Sequence, residues 1–297
     1  MTTEPILTPP EDSAFERRPD DKPGGEVVEE LLRQRARGWM DDWSWPLVRP
    51  LLYKLLGYDR AVEMADALHH MHGVEAIRWV SGILEMDLDP VRADRIPETG
   101  PVFIVSNHPT SIADGVVIDD LVRPVRNDLV YFANSDAFRV APRFDEFLIP
   151  VEWEAHKRNR RKTKETLRLS LQALERDAAI VIFPAGRIAK YRDGELRDPA
   201  WEPTAVTLAR RKGAPILPVH MTGRSSRLYY LADKVSEPLR DMTLFHEMLV
   251  RKGRQSRVTF GPPIQPEQLK GEPEDVTRRL KDYVEKVLPE DPDAAFV

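Results

Sequence analysis

The chain of 297 residues carries 44 Lys and Arg against 49 Asp and Glu, a net charge of −5 at pH 7, and 41% of its residues are hydrophobic. This length and composition are typical of a globular protein with a sizeable core. The slightly acidic balance argues against general nucleic-acid binding. The absence of cysteine excludes disulfide bonds, thiolate metal ligands and a cysteine nucleophile.

The amino-terminal residues 1–25 are rich in proline and acidic residues and end in a glycine pair. This composition predicts a disordered leader. The leader has neither the basic start nor the apolar centre of a signal peptide. No apolar run reaches the 18 residues of a membrane span. We therefore expect a cytoplasmic protein, either soluble or peripheral to a membrane.

Residues 26–95 are predicted to form a helical segment, because apolar residues recur there at helical spacing. One such set is Ala61, Met64, Ala65 and Leu68. The stretch from Trp39 to Leu56 holds three of the six tryptophans, together with Tyr, Leu, Arg and Lys. This mixture is typical of a segment at a membrane surface. It also fits helices that pack over a sheet with their aromatic residues in the core.

Strands and helices alternate over residues 96–290, the predicted catalytic domain, and residues 289–297 are expected to be a frayed tail. The candidate strands are Val102–Val105, Leu129–Ala133, Phe147–Val151, Ile180–Phe183, Ile216–His220 and Arg257–Phe260. Helical patterns occupy Thr163–Asp177, Thr204–Lys212, Met242–Lys252 and Asp275–Val287. The alternation predicts an α/β fold with a largely parallel central sheet flanked by helices.

A histidine lies directly after the first of these strands, in the stretch SNHPTSIAD over residues 106–114. Loops at the carboxyl ends of parallel strands are where α/β proteins bind ligands. His108 with Asp114 nearby is suited to act as a general base, because the carboxylate fixes the tautomer of the imidazole. The same pattern also fits a structural histidine hydrogen-bonded to a capping aspartate.

The local sequence allows these two side chains to meet. Residues 108 and 114 of a continuous helix would lie about 240° apart, so the segment between them must begin as a turn. Pro109 fits this requirement, since the residue before a proline avoids the helical region. Thr110 or Ser111 can then cap a helix from Ile112 onward. Free amides at the start of that helix can stabilise an oxyanion.

A second loop follows the strand Ile180–Phe183 and reads Pro184-Ala185-Gly186-Arg187. In a parallel sheet this loop lies on the same edge as the His108 loop. Gly186 permits close approach of the backbone to a ligand, and Arg187 can pair with a phosphate or carboxylate. A tight strand-to-helix turn with a solvated arginine explains the same residues.

Together the two loops resemble those of the glycerophospholipid acyltransferase family, which contains the glycerol-3-phosphate and 1-acylglycerol-3-phosphate acyltransferases. That family carries Asn-His, four residues and Asp, and later Phe-Pro-Glu-Gly. Asn107, His108 and Asp114 match the first motif, and residues 183–186 match the second. Residues 215–219 are similar to a further motif, so the resemblance spans residues 101–223.

Three positions depart from the family pattern. Five residues separate His108 from Asp114, Ala185 replaces a glutamate, and Glu152 follows a strand where the family usually has an arginine. The form Asn-His-Pro-x5-Asp-Gly with Phe-Pro-Ala-Gly resembles the hemolysin-like acyltransferases, some of which acylate lyso-forms of ornithine or glycine lipids. The departures point away from glycerol phosphate as the acceptor rather than away from acyl transfer.

The resemblance implies an O-acyltransferase that moves a fatty acyl group from acyl-CoA or acyl carrier protein to the hydroxyl of a lyso-lipid, either a lysophospholipid or a lyso-amino lipid. It implies that His108 is the general base, that Asp114 orients it, and that no acyl-enzyme forms. The expected substrate-binding residues are Asn107, Thr110, Ser111, Phe183, Pro184, Gly186 and Arg187. A hydrolase that uses the same histidine, and a non-catalytic lipid-binding protein, are the rival interpretations.

Apart from the acyl donor, no cofactor is expected, and the expected partners are the lyso-lipid and a membrane surface, without nucleic acid. The triple His69, His70 and His72 lacks the spacing of metal ligands, so no metal site is expected. The basic run over residues 156–164 can contact anionic headgroups, CoA phosphates or an acidic carrier protein, or can be a solvated face. His220 ends a strand, and we expect it to be structural.

Overall fold

The computed structural model describes residues 5–36, 38, 40–152, 157–192 and 194–297. Trp39, from the aromatic stretch, and His156, from the basic run, lie outside the described residues. Among the residues that are described, no helix is both long enough and apolar enough to cross a membrane.

A seven-stranded sheet forms the centre of the fold, and a small hairpin lies beside it. The strands in chain order are β1 (Asp87–Val91), β2 (Val102–Ser106), β3 (Leu129–Asn134), β4 (Leu148–Val151), β5 (Ala179–Ile182), β6 (Lys190–Arg192), β7 (Glu195–Arg197), β8 (Ile216–Met221) and β9 (Gln255–Phe260). The order in the central sheet is β1-β9-β8-β2-β5-β3-β4, and β6 pairs with β7. Strands β8, β2, β5, β3 and β4 are parallel, whereas β9 is antiparallel to β8. The predicted α/β class with a largely parallel sheet is confirmed.

Helices cover both faces of this sheet. They are α1 (Gly24–Arg35), α2 (Trp45–Leu56), α3 (Tyr58–His69), α4 (Gly73–Leu84), α5 (Ile112–Val122), α6 (Ala137–Val140), α7 (Arg160–Glu175), α8 (Thr204–Lys212), α9 (Arg227–Val235), α10 (Glu237–Met242), α11 (Leu244–Leu249) and α12 (Pro273–Asp282). Apolar side chains of α3, α4, α5 and α11 form a core on one face. Those of α7, α8 and α12 form a second core on the other face. The N-terminal helical segment is therefore present, as predicted.

The central strands are apolar throughout because both of their faces are covered. Every residue of β2 and of β5 is buried, as a parallel sheet with two covered faces requires. Strand β1 was not predicted, since its sequence Asp-Leu-Asp-Pro-Val lacks the apolar run of a buried strand. It is an edge strand, where a proline is tolerated, and it pairs with β9. The predicted boundary at residue 95 is therefore wrong, because Asp87–Val91 belongs to the sheet.

Two of the predicted helices have different bounds. The pattern over Met242–Lys252 is divided between α10 and α11, and the break falls at Thr243. The Thr243 hydroxyl donates to the carbonyl oxygen of Arg240 at 2.7 Å, a local bond that competes with helix continuation. The pattern over Asp275–Val287 ends in a π-helical turn at Tyr283–Val287.

The segment predicted to be a disordered leader is packed on the domain from residue 5 onward. Leu7 and Phe15 are buried in the second and first cores, respectively. The Ser13 hydroxyl and the Ala14 amide both donate to the carboxylate of Glu165 at 2.6 Å. The composition predicted disorder because prolines and charged residues dominate the segment. In the structure, a few buried apolar side chains hold the segment on the domain.

The carboxyl-terminal tail differs from its prediction in the same way. Phe296 is buried in the second core and its ring meets that of Tyr283 edge to face, with centroids 5.7 Å apart. Arg279 lies over the Phe296 ring. The domain therefore extends past the predicted end at residue 290.

We expect Leu7→Ala to lower the free energy of unfolding by about 2–5 kcal/mol, because it leaves a cavity in the second core. Chemical denaturation of the full chain measures this. Leu51→Ala is the matched control, since Leu51 is 73% exposed and its truncation is expected to cost less than about 0.5 kcal/mol. Equal, small losses for both variants would show that the segment around Leu7 is not packed.

Candidate active site

Two loops meet at the carboxyl ends of neighbouring strands. Strands β2 and β5 pair in parallel with Val105 opposite Ile182, so the chain leaves both strands side by side. The rings of His108 and Phe183 are stacked, with centroids 4.7 Å apart and planes inclined by 27°. The structure therefore brings together the two motifs that the sequence singles out.

His108 and Asp114 are hydrogen-bonded. Nδ1 of His108 lies 2.8 Å from Oδ2 of Asp114. The same oxygen accepts a bond of 2.8 Å from the Thr110 amide, and Oδ1 accepts from the Thr110 hydroxyl. Asp114 is only 2% exposed, and the loop supplies its hydrogen-bond donors. A carboxylate on Nδ1 leaves Nε2 as the nitrogen that can accept a proton.

The turn between these residues is strained at Ser111. Helix α5 begins at Ile112, and Ser111 before it has φ 91° and ψ −144°, a region that non-glycine residues rarely occupy. The cap predicted from Thr110 or Ser111 is not formed, since no side chain caps this helix. The Thr110 hydroxyl binds the Asp114 carboxylate instead. The strain at Ser111 lets Asp114 turn back to His108.

Asn107 connects the His108 loop to the end of β8. Its side-chain amide donates to the Met221 carbonyl oxygen at 2.9 Å, and its side-chain oxygen accepts from the Met221 amide at 2.7 Å. The side chain thus takes the place of a strand partner. Asn107, Thr110 and Ser111 are all buried, so the structure assigns them contacts within the protein.

Asp198 holds the backbone of His108, although no sequence motif marks this residue. The His108 amide lies 3.2 Å from each Asp198 carboxylate oxygen, and the Trp201 indole donates to the same carboxylate at 2.9 Å. On the other side, the His108 carbonyl oxygen accepts from the Ala189 amide at 2.9 Å. Burial raises the pKa of Asp198 to about 6. Only the fold reveals this contact, because Asp198 lies on a loop 90 residues away.

The second loop supplies Phe183 to the site and leaves its arginine at the surface. Pro184 is buried, and Gly186 has φ 58°, a left-handed conformation that favours glycine. Arg187 is exposed and lies 3.6 Å from the Glu237 carboxylate. Glu152, the residue that departs from the family after β4, lies 2.6 Å from the Lys162 ammonium. Its negative charge is thus balanced locally.

His220, His69 and His70, which the sequence analysis also considered, make contacts that do not involve His108. His220 donates from Nδ1 to the Val284 carbonyl oxygen at 2.9 Å, and burial lowers its pKa to about 4. The ring of His69 packs against that of His70, with centroids 4.6 Å apart. Within the described parts of the chain, no group of three or more His, Asp or Glu residues is placed to hold a metal ion.

Gly223, just beyond β8, is a further residue that the sequence did not single out. Its φ is 152°. A Cβ at this position would lie 2.5 Å from Cγ2 of Thr110, closer than any real contact. The loop after β8 therefore packs its backbone directly against the residue that holds Asp114.

With this geometry in place, comparison with known proteins identifies the class. A family model described as Acyltransferase matches residues 90–222, which include both loops. This part of the chain is therefore similar to the acyltransferase family, and the comparisons support an enzyme that transfers acyl groups. The resemblance drawn from the two motifs is confirmed.

Particular relatives are similar at lower identity. The lyso-glycine lipid O-acyltransferase of Phocaeicola vulgatus is 24% identical over 198 residues, which cover 65% of this chain and 69% of that protein. The enzyme of the same name from Bacteroides thetaiotaomicron is 23% identical over 198 residues, 65% and 71% of the two chains. The crystal structure of the 1-acyl-sn-glycerophosphate (LPA) acyltransferase PlsC from Thermotoga maritima aligns with a TM-score of 0.48 and 18% identity, over 90% and 87% of the chains.

We expect Gly223→Ala to lower kcat/KM for acyl transfer at least about tenfold, because a displaced Thr110 shifts the Asp114 carboxylate, and small misplacements are costly in catalysis. Steady-state kinetics of the purified protein measure this. Gly213→Ala is the matched control, since Gly213 also has a positive φ but no atom within 4 Å of its added Cβ. Wild-type kinetics in Gly223→Ala would show that the Gly223 contact does not support the site.

Proposed function

We propose that the protein is an O-acyltransferase that moves a fatty acyl group from a thioester donor, acyl-CoA or acyl carrier protein, to the hydroxyl of a lyso-lipid. The observation that carries the proposal is the bond between His108 Nδ1 and the buried Asp114 carboxylate. This bond is made within a loop that Asn107 and Asp198 fix to the sheet edge. A proton acceptor held in this way is what an attacking hydroxyl requires.

In the proposed mechanism, Nε2 of His108 removes the proton of the acceptor hydroxyl as its oxygen attacks the thioester carbonyl carbon. The tetrahedral intermediate collapses, the carbon–sulfur bond breaks, and the proton passes from His108 to the departing sulfur. Asp114 stabilises the imidazolium that forms in between, and Phe183 supports the ring by stacking. General base catalysis of this kind contributes about 10²- to 10⁴-fold.

A lyso-amino lipid is the proposed acceptor. Two relatives are named for the lyso-glycine lipid. The five-residue spacing between His108 and Asp114, together with Ala185 in the second motif, supports the same class. After β4 the chain has Glu152, paired with Lys162, where the family usually has an arginine, and this substitution points away from glycerol phosphate as the acceptor.

We expect His108→Ala to reduce kcat by about 10²- to 10⁴-fold, because the general base is removed, and Asp114→Asn to impair it through the wrong tautomer. Acyl transfer is measured with acyl-CoA and acyl carrier protein as donors. The acceptors are lyso-glycine lipid, lyso-ornithine lipid and lysophosphatidic acid. His70→Ala removes an exposed histidine directly after α3, and this control should retain the wild-type rate.

Three outcomes would contradict this proposal in different ways. Wild-type turnover in His108→Ala would show that His108 is not the general base. Release of free fatty acid without acylated lipid would indicate a hydrolase. Lipid binding without turnover in any donor and acceptor pair, unchanged in His108→Ala, would indicate a non-catalytic protein.

We further propose that α2 and Trp43, two residues before it, contact a membrane surface. Trp43, Leu47 and Leu51 are 83%, 75% and 73% exposed, and Leu55 continues the four-residue spacing that places side chains on one helix face. The opposite face, with Trp45, Tyr53 and Leu56, packs in a small core. An exposed stripe of this kind marks an interaction site more often than scattered single residues do.

We expect the double variant Leu47→Glu/Leu51→Glu to lose most of its binding to vesicles of phosphatidylcholine and phosphatidylglycerol, because each carboxylate opposes insertion among apolar chains. Co-sedimentation measures the bound fraction. Leu167→Glu is the matched control, since Leu167 is exposed on α7, which packs on the other face of the sheet. Equal binding by the double variant and the wild type would refute the role of α2.

A further inference from the structure

Arg251 reaches the His108 loop from outside both motifs. Strand β9 runs antiparallel to β8, so the residues before β9 lie at the same sheet edge as the residues after β8. Nη2 and Nη1 of Arg251 lie 3.5 and 3.6 Å from the position that a Gly223 Cβ would occupy, and Thr110 Cγ2 lies 2.5 Å from it. The guanidinium and Thr110, which binds Asp114, therefore border the same small space, which stays open because Gly223 has no side chain.

The guanidinium of Arg251 has few partners for a buried cation. The residue is 6% exposed. Its Nη2 donates a long bond of 3.4 Å to the Gln255 carbonyl oxygen, and its Nε is buried without a partner among the described residues. A buried charge is costly unless other charges compensate it. Burial lowers the pKa of Arg251, while the negative charges of Asp114 and Glu247 oppose that shift.

Asp114 is a buried negative charge that a nearby positive charge would stabilise. Its carboxylate is buried, and the hydrogen bonds that it accepts come from the Thr110 amide, the Thr110 hydroxyl and the His108 ring. None of these donors carries a charge while His108 is neutral. The positive charge of Arg251, which lies beside Thr110 at Gly223, then offsets the negative charge of Asp114.

We propose that Arg251 is a positioning residue that keeps Asp114 ionised and His108 neutral, ready to accept a proton. The proposal rests on the general-base role of His108. A nearby cation disfavours the imidazolium and a nearby carboxylate favours it, so Arg251 and Asp114 act on His108 in opposite directions. The other charged groups around them are Asp198 at the His108 amide, Glu247 on α11, and Arg254 beyond Arg251.

The test is an NMR titration of the His108 ring, whose signal is identified by its loss in His108→Ala. In Arg251→Met we expect the pKa of His108 to rise by about one unit, because the opposing cation is gone. The acidic limb of the kcat/KM profile should move to higher pH by the same amount. Arg251→Lys keeps the charge and should hold the pKa of His108 near the wild-type value.

Arg254→Met is the matched control, since it removes an exposed cation three residues further on and should leave the pKa of His108 unchanged. An unchanged pKa in folded Arg251→Met overturns the proposal. Equal shifts in Arg251→Met and Arg251→Lys overturn it too, because they assign the effect to packing.

If Arg251→Met does not fold, Arg251→Gln takes its place, and failure of both neutral variants to fold assigns Arg251 to folding and overturns the proposal. The NMR titration needs no turnover. A wild-type protein that acylates no lyso-lipid therefore refutes the proposed function without deciding the role of Arg251.

Discussion

The burial of the Asp114 carboxylate is the constraint on which the site depends. A carboxylate removed from water must find hydrogen-bond donors and compensating charge inside the protein. The strained turn at Ser111 brings the Thr110 amide and hydroxyl to it. His108 completes the set of donors and thereby acquires a fixed tautomer. The fixed orientation of the His108 ring is thus a consequence of satisfying the buried Asp114 carboxylate.

Three further contacts hold the His108 loop in place. Asn107 ties it to the end of β8, Asp198 holds the His108 amide, and Phe183 stacks on the ring. These contacts come from separate segments that follow different strands. A parallel sheet makes this possible, because the carboxyl ends of β2, β5 and β8 meet at one edge. Arg251 joins them only because β9 reverses direction.

The sequence predicted the parts of the protein whose signals are local. Continuous apolar runs predicted β2 and β5, since a strand buried on both faces has no polar residues, and the Asn-His-Pro stretch predicted the loop that follows β2. Strand β1 was missed because an edge strand can carry aspartates and a proline. Asp198 and Arg251 could not be predicted, because their proximity to the His108 loop arises only when segments far apart in the sequence fold together. The packed leader was missed because its few large apolar residues, Ile6, Leu7 and Phe15, stand among prolines and charged residues.

Strand β9, which runs antiparallel to β8, also determines how much of the chain is needed to complete the sheet. Residues 90–222, which match the family model, end just after β8. A fragment with those bounds would lack β9, so the amides and carbonyls on one side of β8 would be left as an open edge, prone to pair with other chains. It would also lose Val276, Leu280 and Val284, which close the second core. The smallest piece of this chain able to fold therefore runs well past the motifs, since the sheet is completed from both ends of the sequence.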